Sequence, residues 1–173
     1  MNMSGRKYIM EQFTGKVWLL GDDIDTDIII PTEYLALKTI NDMAPYGFSP
    51  LRPDLASQIE PGDIIVAGKN FGCGSSREQA PEVIKALGVR AVIARSYARI
   101  FFRNAINNGL LLIENDTLCN DVKEGDTITV NVGESIEYNG KSYPISALPD
   151  NLLDILNAGG LVRAMQKLNG IID

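Results

Sequence analysis

The stretch Ile64–Leu87, IIVAGKNFGCGSSREQAPEVIKAL, restricts the possible folds more than any other part of the chain. Ile64 to Ala67 is an apolar, β-branched run of the kind that packs on a pleated sheet. Gly68, Gly72 and Gly74 follow and open backbone conformations closed to other residues. Then come Ser75, Ser76, Arg77 and Glu78, and a helical segment that stops at Gly88. Ser75 and Glu78 stand in S-x-x-E spacing, where each side chain can cap a free N–H near the other. Two hydroxyls and a guanidinium therefore gather at a helix start, where free N–H groups and the helix dipole favour an anion. Arg77 adds a planar fork that matches a carboxylate or phosphate. Pro81 leaves two helix starts open: an irregular first turn from Ser76, or a regular helix from Pro81. A glycine-rich turn with a capped helix and no ligand fits the spacing equally well.

Two nucleotide motifs fail here. No glycine precedes a Lys and a hydroxyl residue at P-loop spacing, and Arg77 fills the third glycine position of a dinucleotide fingerprint. Absences narrow the chemistry further. The chain has no histidine, which removes an imidazole base and His-ligated zinc. Cys73 and Cys119 are the only cysteines, too few for an iron–sulfur cluster and consistent with a reducing cytoplasm. A net charge of −6 with scattered Lys and Arg argues against nucleic acid. It also means that an anionic substrate needs a local cation such as Arg77. No apolar run approaches the ~20 residues that span a bilayer, and the first residues lack a signal-peptide centre. At 173 residues the chain reads as one domain over residues 14–173 behind a loose extension over residues 1–13.

Along the rest of the chain, Lys16–Leu20 and Ile28–Ile30 read as strands flanking an acidic turn. Asp23, Asp25 and Asp27 alternate as in a calcium loop, but Ile28 and Tyr34 stand where an EF-hand needs Gly and Glu. Carboxylates capping turn N–H groups are the better reading. Thr32–Pro53 is the most loop-like segment. Asp54–Ile59 reads as a short helix, Ala91–Ala94 and Leu110–Ile113 as buried strands, and Ala98–Asn108 as a helix. Arg95, Arg99 and Arg103 form a basic series there, read as a solvated face or a partner surface. From Lys123 the turn signals Glu124-Gly125 and Asn139-Gly140 indicate short antiparallel strands. Helical segments broken at Gly159-Gly160 close the chain. Periodicity alone gives a mixed α/β domain.

Three motifs, GDDIDTDIIIP at Gly21–Pro31, GKNFGCGSSREQ and SYARIFFRNAINNGL at Ser96–Leu110, occur in one order. In this they resemble the aconitase-family hydro-lyases, and more narrowly the branch of separate small subunits of the 3-isopropylmalate dehydratase and homoaconitase type. The resemblance spans about Thr14 to Leu168. It implies an α/β fold, a single swivelling β/β/α domain like the aconitase C-terminal domain, with a mixed sheet and flanking helices. It implies isomerisation of a malate-type di- or tricarboxylate by dehydration and rehydration, with 2-isopropylmalate in leucine biosynthesis as the preferred substrate. A [4Fe–4S] cluster acting as Lewis acid would be carried by a partner large subunit, and none by this chain. Matched to the family motif, Ser75 becomes the base, and Ser76 and Arg77 bind a substrate carboxylate. Leu35, Ala36, Leu37, Lys38 and Thr39 fall in the family's specificity loop: the apolar residues suit an alkyl substituent, whereas Lys38 would suit the extra carboxylate of a homoaconitase substrate. Asp25, Thr26 and Asp27 are candidates for a supporting shell at the cleft. Gln79 stands where many relatives have histidine, outside the serine–arginine group. Citramalate- or dimethylmalate-type substrates, and a non-catalytic anion-binding module, are the alternatives.

Overall fold

Apolar, β-branched segments supply the centre of the sheet. In the computed structural model, which describes residues 12–171, β1 (Gln12–Leu19), β2 (Ile64–Val66), β3 (Ala91–Ala94) and β4 (Leu111–Glu114) run parallel to their neighbours. Val17 pairs with Ile64, Ile65 with Val92 and Val92 with Leu112. β5 (Thr127–Asn131) pairs antiparallel with β1 and leads through β6 (Ser135–Tyr138) to β7 (Lys141–Pro144). The order across the seven-stranded sheet is β4-β3-β2-β1-β5-β6-β7. Asn139 and Gly140, with φ of 50° and 78°, make the two-residue turn between β6 and β7.

Every residue of β2 and β3 is buried, as expected of parallel strands covered on both faces. Ile65, Val92 and Leu112 pack with Val83 and Ile84 of α4 (Gln79–Ala86) and with Phe101 and Ala105 of α5 (Arg99–Asn107). Ile64, Ile93 and Ile113 share the opposite core with Val130, Ile136 and Tyr143 from the antiparallel wing, so the sheet curves over its own face. Short helices fill the connections: α1 (Thr26–Ile29), α2 (Ile40–Met43), α3 (Leu55–Gln58) and α6 (Leu118–Asp121). Helices α7 (Asp150–Ala158) and α8 (Leu161–Leu168) meet at Gly159, whose φ of 91° ends α7.

Three expectations change. Ile28 and Ile29 belong to a helical turn rather than a strand, because the Asp25 carboxylate accepts from the Ile28 N–H at 2.9 Å and caps it; only Ile30 is extended. Thr32–Pro53 holds 3-10 turns at Thr32–Tyr34 and Ala44–Tyr46 around α2. Gln12 and Phe13 are in β1, paired with Asn131 and Val130; the remainder of the extension read over residues 1–13 lies outside the described residues.

The glycine loop after β2 is seated against α5. Phe71 bridges to Tyr97, the Phe71 and Phe101 rings meet edge to face at 5.5 Å, and Gly72 lies directly under the Phe101 side chain with a φ of 83°. A Cβ at Gly72 would overlap the Phe101 ring in a backbone conformation that side chains disfavour. Gly72→Ala should therefore destabilise the fold by about 2–5 kcal/mol in urea unfolding, from strain plus overpacking. A loss under about 0.5 kcal/mol would show that the loop is not held here.

Candidate active site

The acidic turn and the glycine loop build one another. Asp22 accepts from the Lys69 N–H at 2.8 Å, Asp23 accepts from the Asn70 side-chain amide at 3.0 Å, and the Gly72 N–H reaches the Ile24 carbonyl at 2.7 Å. Asp22 thus caps a backbone N–H of the loop, as the turn reading expects, whereas Asp23 holds a side-chain amide. Thr26 then fixes the loop at two points. Its N–H donates to the Cys73 carbonyl at 3.0 Å and its hydroxyl to the Ser75 carbonyl at 2.6 Å, and it is 1% exposed. With its carbonyl held inward, Ser75 is an exposed residue, as is Ser76.

The S-x-x-E capping box does not form. α4 starts at Gln79 behind Glu78, which makes no side-chain cap, so Ser75, Ser76 and Arg77 lie in the loop ahead of the helix. Pro81 is the physical reason. It has no N–H for the Arg77 carbonyl four residues back, and its ring would clash with that carbonyl in a longer helix.

Arg77 is largely wrapped in its own chain. Its Nη1 donates to the Ile30 carbonyl at 2.9 Å and lies 2.6 Å from Asp27 Oδ1, and its Nη2 donates to the Thr32 hydroxyl at 2.7 Å. The Arg77 side chain is 13% exposed and that of Asp27 61%. Nearby, burial first, and then the negative charges of Asp25 and Asp23, push the Cys73 thiol above its ordinary range. Asp27 thus faces the Arg77 guanidinium, and Asp25 and Asp23 add negative charge beside Cys73.

A cleft of about 230 Å³ borders this turn, lined by Thr26, Gly74, Ser76 and Arg77 together with Arg99 and Ile100 of α5. Sequence spacing did not bring Arg99 and Ile100 to the site, because their placement depends on the Gly72–Phe101 packing. Nor did it identify Thr32 as the hydroxyl partner of Arg77. The predicted specificity loop is placed beside this group rather than in it. Leu35 packs on the core, Ala36, Leu37 and Lys38 are exposed, and the Thr39 hydroxyl caps α2 through the Asp42 N–H at 3.1 Å. Arg77 meets this segment ahead of the loop, at Ile30 and Thr32.

The donor set does not fit a cluster or metal. Among the described residues no three His, Cys, Asp or Glu side chains are placed to hold an ion, and Cys73 and Cys119 are the chain's only thiols. Likewise, no helix among the described residues is long and apolar enough to cross a membrane.

Two expectations follow from this geometry. Thr26→Val removes the partner of the part-buried Ser75 carbonyl and should cost about 1–3 kcal/mol by urea unfolding, whereas an unchanged midpoint would remove Thr26 as the clamp. In a Cys119→Ser background, alkylation of Cys73 should accelerate only at pH values above those of a free thiol, and Asp25→Asn should move that rise to lower pH. A rise at the free-thiol pH would contradict the acidic field.

The aconitase C-terminal domain family matches residues 41–117. The chain is 78% identical over 161 residues to the 3-isopropylmalate dehydratase small subunit of Lachnospira eligens, covering 93% of this chain and 98% of that one. It is 49% identical over 160 residues to 3-isopropylmalate dehydratase small subunit 1 of Archaeoglobus fulgidus, covering 89% and 97%. The crystal structure of 3-isopropylmalate dehydratase from Methanocaldococcus jannaschii superposes with a TM-score of 0.87 at 40% identity, covering 92% and 96%. Near-complete coverage of both partners, at these identities and on one fold, makes this chain a member of the 3-isopropylmalate dehydratase small-subunit family within the aconitase-type hydro-lyases.

Proposed function

We propose that this chain supplies the proton-transfer and carboxylate-binding half of a heteromeric hydro-lyase that converts 2-isopropylmalate to 3-isopropylmalate by dehydration and rehydration, in leucine biosynthesis. The observation that supports the reading is the Thr26 clamp, which ties the Ser75 carbonyl beside a cleft lined by Ser76 and Arg77, in a chain of this family. The [4Fe–4S] cluster of aconitase-type enzymes is assigned to a large partner subunit, since the donors on this chain do not suit it. A cytoplasmic location accords with two cysteines and no disulfide framework.

Ser75, with its carbonyl tied to Thr26, keeps its hydroxyl free to take the proton from the carbon that carries a substrate carboxylate. The Ser76 hydroxyl and the Arg77 fork bind that carboxylate. Arg77 holds the Asp27 carboxylate in the unbound chain, and because Asp27 is mostly exposed the pair is weak enough to exchange. A substrate carboxylate then takes the position of Asp27 while Ile30 and Thr32 keep the guanidinium aimed. A serine base needs positive potential, which in this reading the partner subunit adds to that of Arg77.

The test is anaerobic reconstitution with a large subunit of the same family, followed by alkene absorbance with 2-isopropylmalate, homocitrate and citramalate in parallel. Turnover should be confined to 2-isopropylmalate, and Ser75→Ala should lower kcat by about 10²–10⁴-fold while a competitive dicarboxylate still binds. Turnover within about tenfold of the parent for Ser75→Ala would overturn the base assignment. Activity on another acid alone would overturn the substrate.

A further inference from the structure

We propose that Arg99 is a second substrate-carboxylate-binding residue, paired across the cleft mouth with the Ser76–Arg77 group. This rests on the reading of Ser75–Arg77 as the reacting site. Three observations support it. First, Arg99 is placed there by rigid contacts: the Phe71 N–H donates to the Ser96 carbonyl at 3.0 Å, the Ala98 N–H to the Phe71 carbonyl at 3.0 Å, and Phe101 sits on Gly72. The residue that opens α5 is thereby locked to the loop that carries Ser75. Second, Arg99 lines the same 230 Å³ cleft as Ser76 and Arg77. Arg99 also borders a larger cleft of about 350 Å³ on its other side, which Glu114 lines; of the other two arginines of the series, Arg95 borders neither of these but a third cleft beside Glu114 and Asp116, and Arg103 is an exposed residue of α5.

Third, the charge balance of this chain favours another cation at the cleft. A malate-type acid brings two carboxylates to a chain of net charge −6. The Arg77 guanidinium already faces Asp27, and substrate can recruit it for one carboxylate only. Arg99 is exposed, and among the described residues no carboxylate lies within ion-pair distance of it and no acidic residue stands in the first turn of α5. An uncompensated guanidinium at a shared cleft, in a chain with 22 acidic and 16 basic residues, is suited to a second anionic group. Ile100, 58% exposed on the same cleft wall, places an apolar surface beside that cation. Together they match an acid that carries an alkyl substituent next to a carboxylate.

The experiment uses the reconstituted two-subunit enzyme with Arg99→Ala, Arg99→Lys and, separately, Ser75→Ala. Arg99→Ala should raise KM for 2-isopropylmalate about 10–100-fold, the loss of one charge-assisted hydrogen bond, with a smaller change in kcat. Arg99→Lys should recover about tenfold of that loss. The preference of the enzyme for a dicarboxylate inhibitor over its monoester should shrink in Arg99→Ala alone. An unchanged KM and unchanged inhibitor preference would overturn the proposal. So would a raised subunit dissociation constant with a normal KM at saturating large subunit, which would make Arg99 a docking residue. If Ser75→Ala keeps full turnover, the underlying site reading fails; if Ser75→Ala is inactive and Arg99→Ala is normal, only the Arg99 assignment fails.

Discussion

The hydrogen bonds from Thr26 to the Cys73 and Ser75 carbonyls are the contact on which the site geometry depends. They join two segments some fifty residues apart, and they do so with a side chain almost fully removed from water. A buried bond of this kind is strong because leaving either partner unmet costs its full desolvation. Asp25 caps the short α1 helix that presents Thr26, so the acidic turn serves the loop through geometry. With the Ser75 carbonyl drawn inward, the loop crosses to α4 before helical structure can start, and Pro81 prevents α4 from reaching back to meet it.

The electrostatics of the isolated chain point to half of a catalytic centre. A serine acts as a base only where its alkoxide is stabilised, which requires net positive potential. Here Asp27 offsets Arg77, and Asp23 and Asp25 raise the Cys73 thiol after burial has done so. In the proposed function the Asp27–Arg77 pair is an exchangeable placeholder: the Arg77 guanidinium is held in position by Ile30 and Thr32, while its charge partner is mostly exposed.

Much of the fold was legible in the sequence. The strand–glycine–serine–arginine stretch marked the loop beside the cleft, and the paired turn signals after Lys123 marked the antiparallel wing. Local rules failed where other constraints compete with them. Ser75 and Glu78 have capping-box spacing, yet Pro81 keeps α4 from starting before Gln79 and no box forms. Ile28-Ile29-Ile30 has strand composition, but Asp25 at N-cap spacing turns the first two into a helix; that aspartate was the available signal. The place of Arg99 and Ile100 on the cleft had no sequence signal, because it arises from Phe101 stacking on a glycine in the preceding loop.

The central claim is that this chain holds an incomplete carboxylate site, finished by a partner subunit. Calorimetric titration of an unreactive substrate-like dicarboxylate tests it directly, once into the isolated chain and once into the assembled two-subunit protein. Weaker binding to the isolated chain, where Asp27 competes for Arg77, than to the assembly is the expected result. Equal affinity in both would contradict it and make the chain a carboxylate-binding module in its own right.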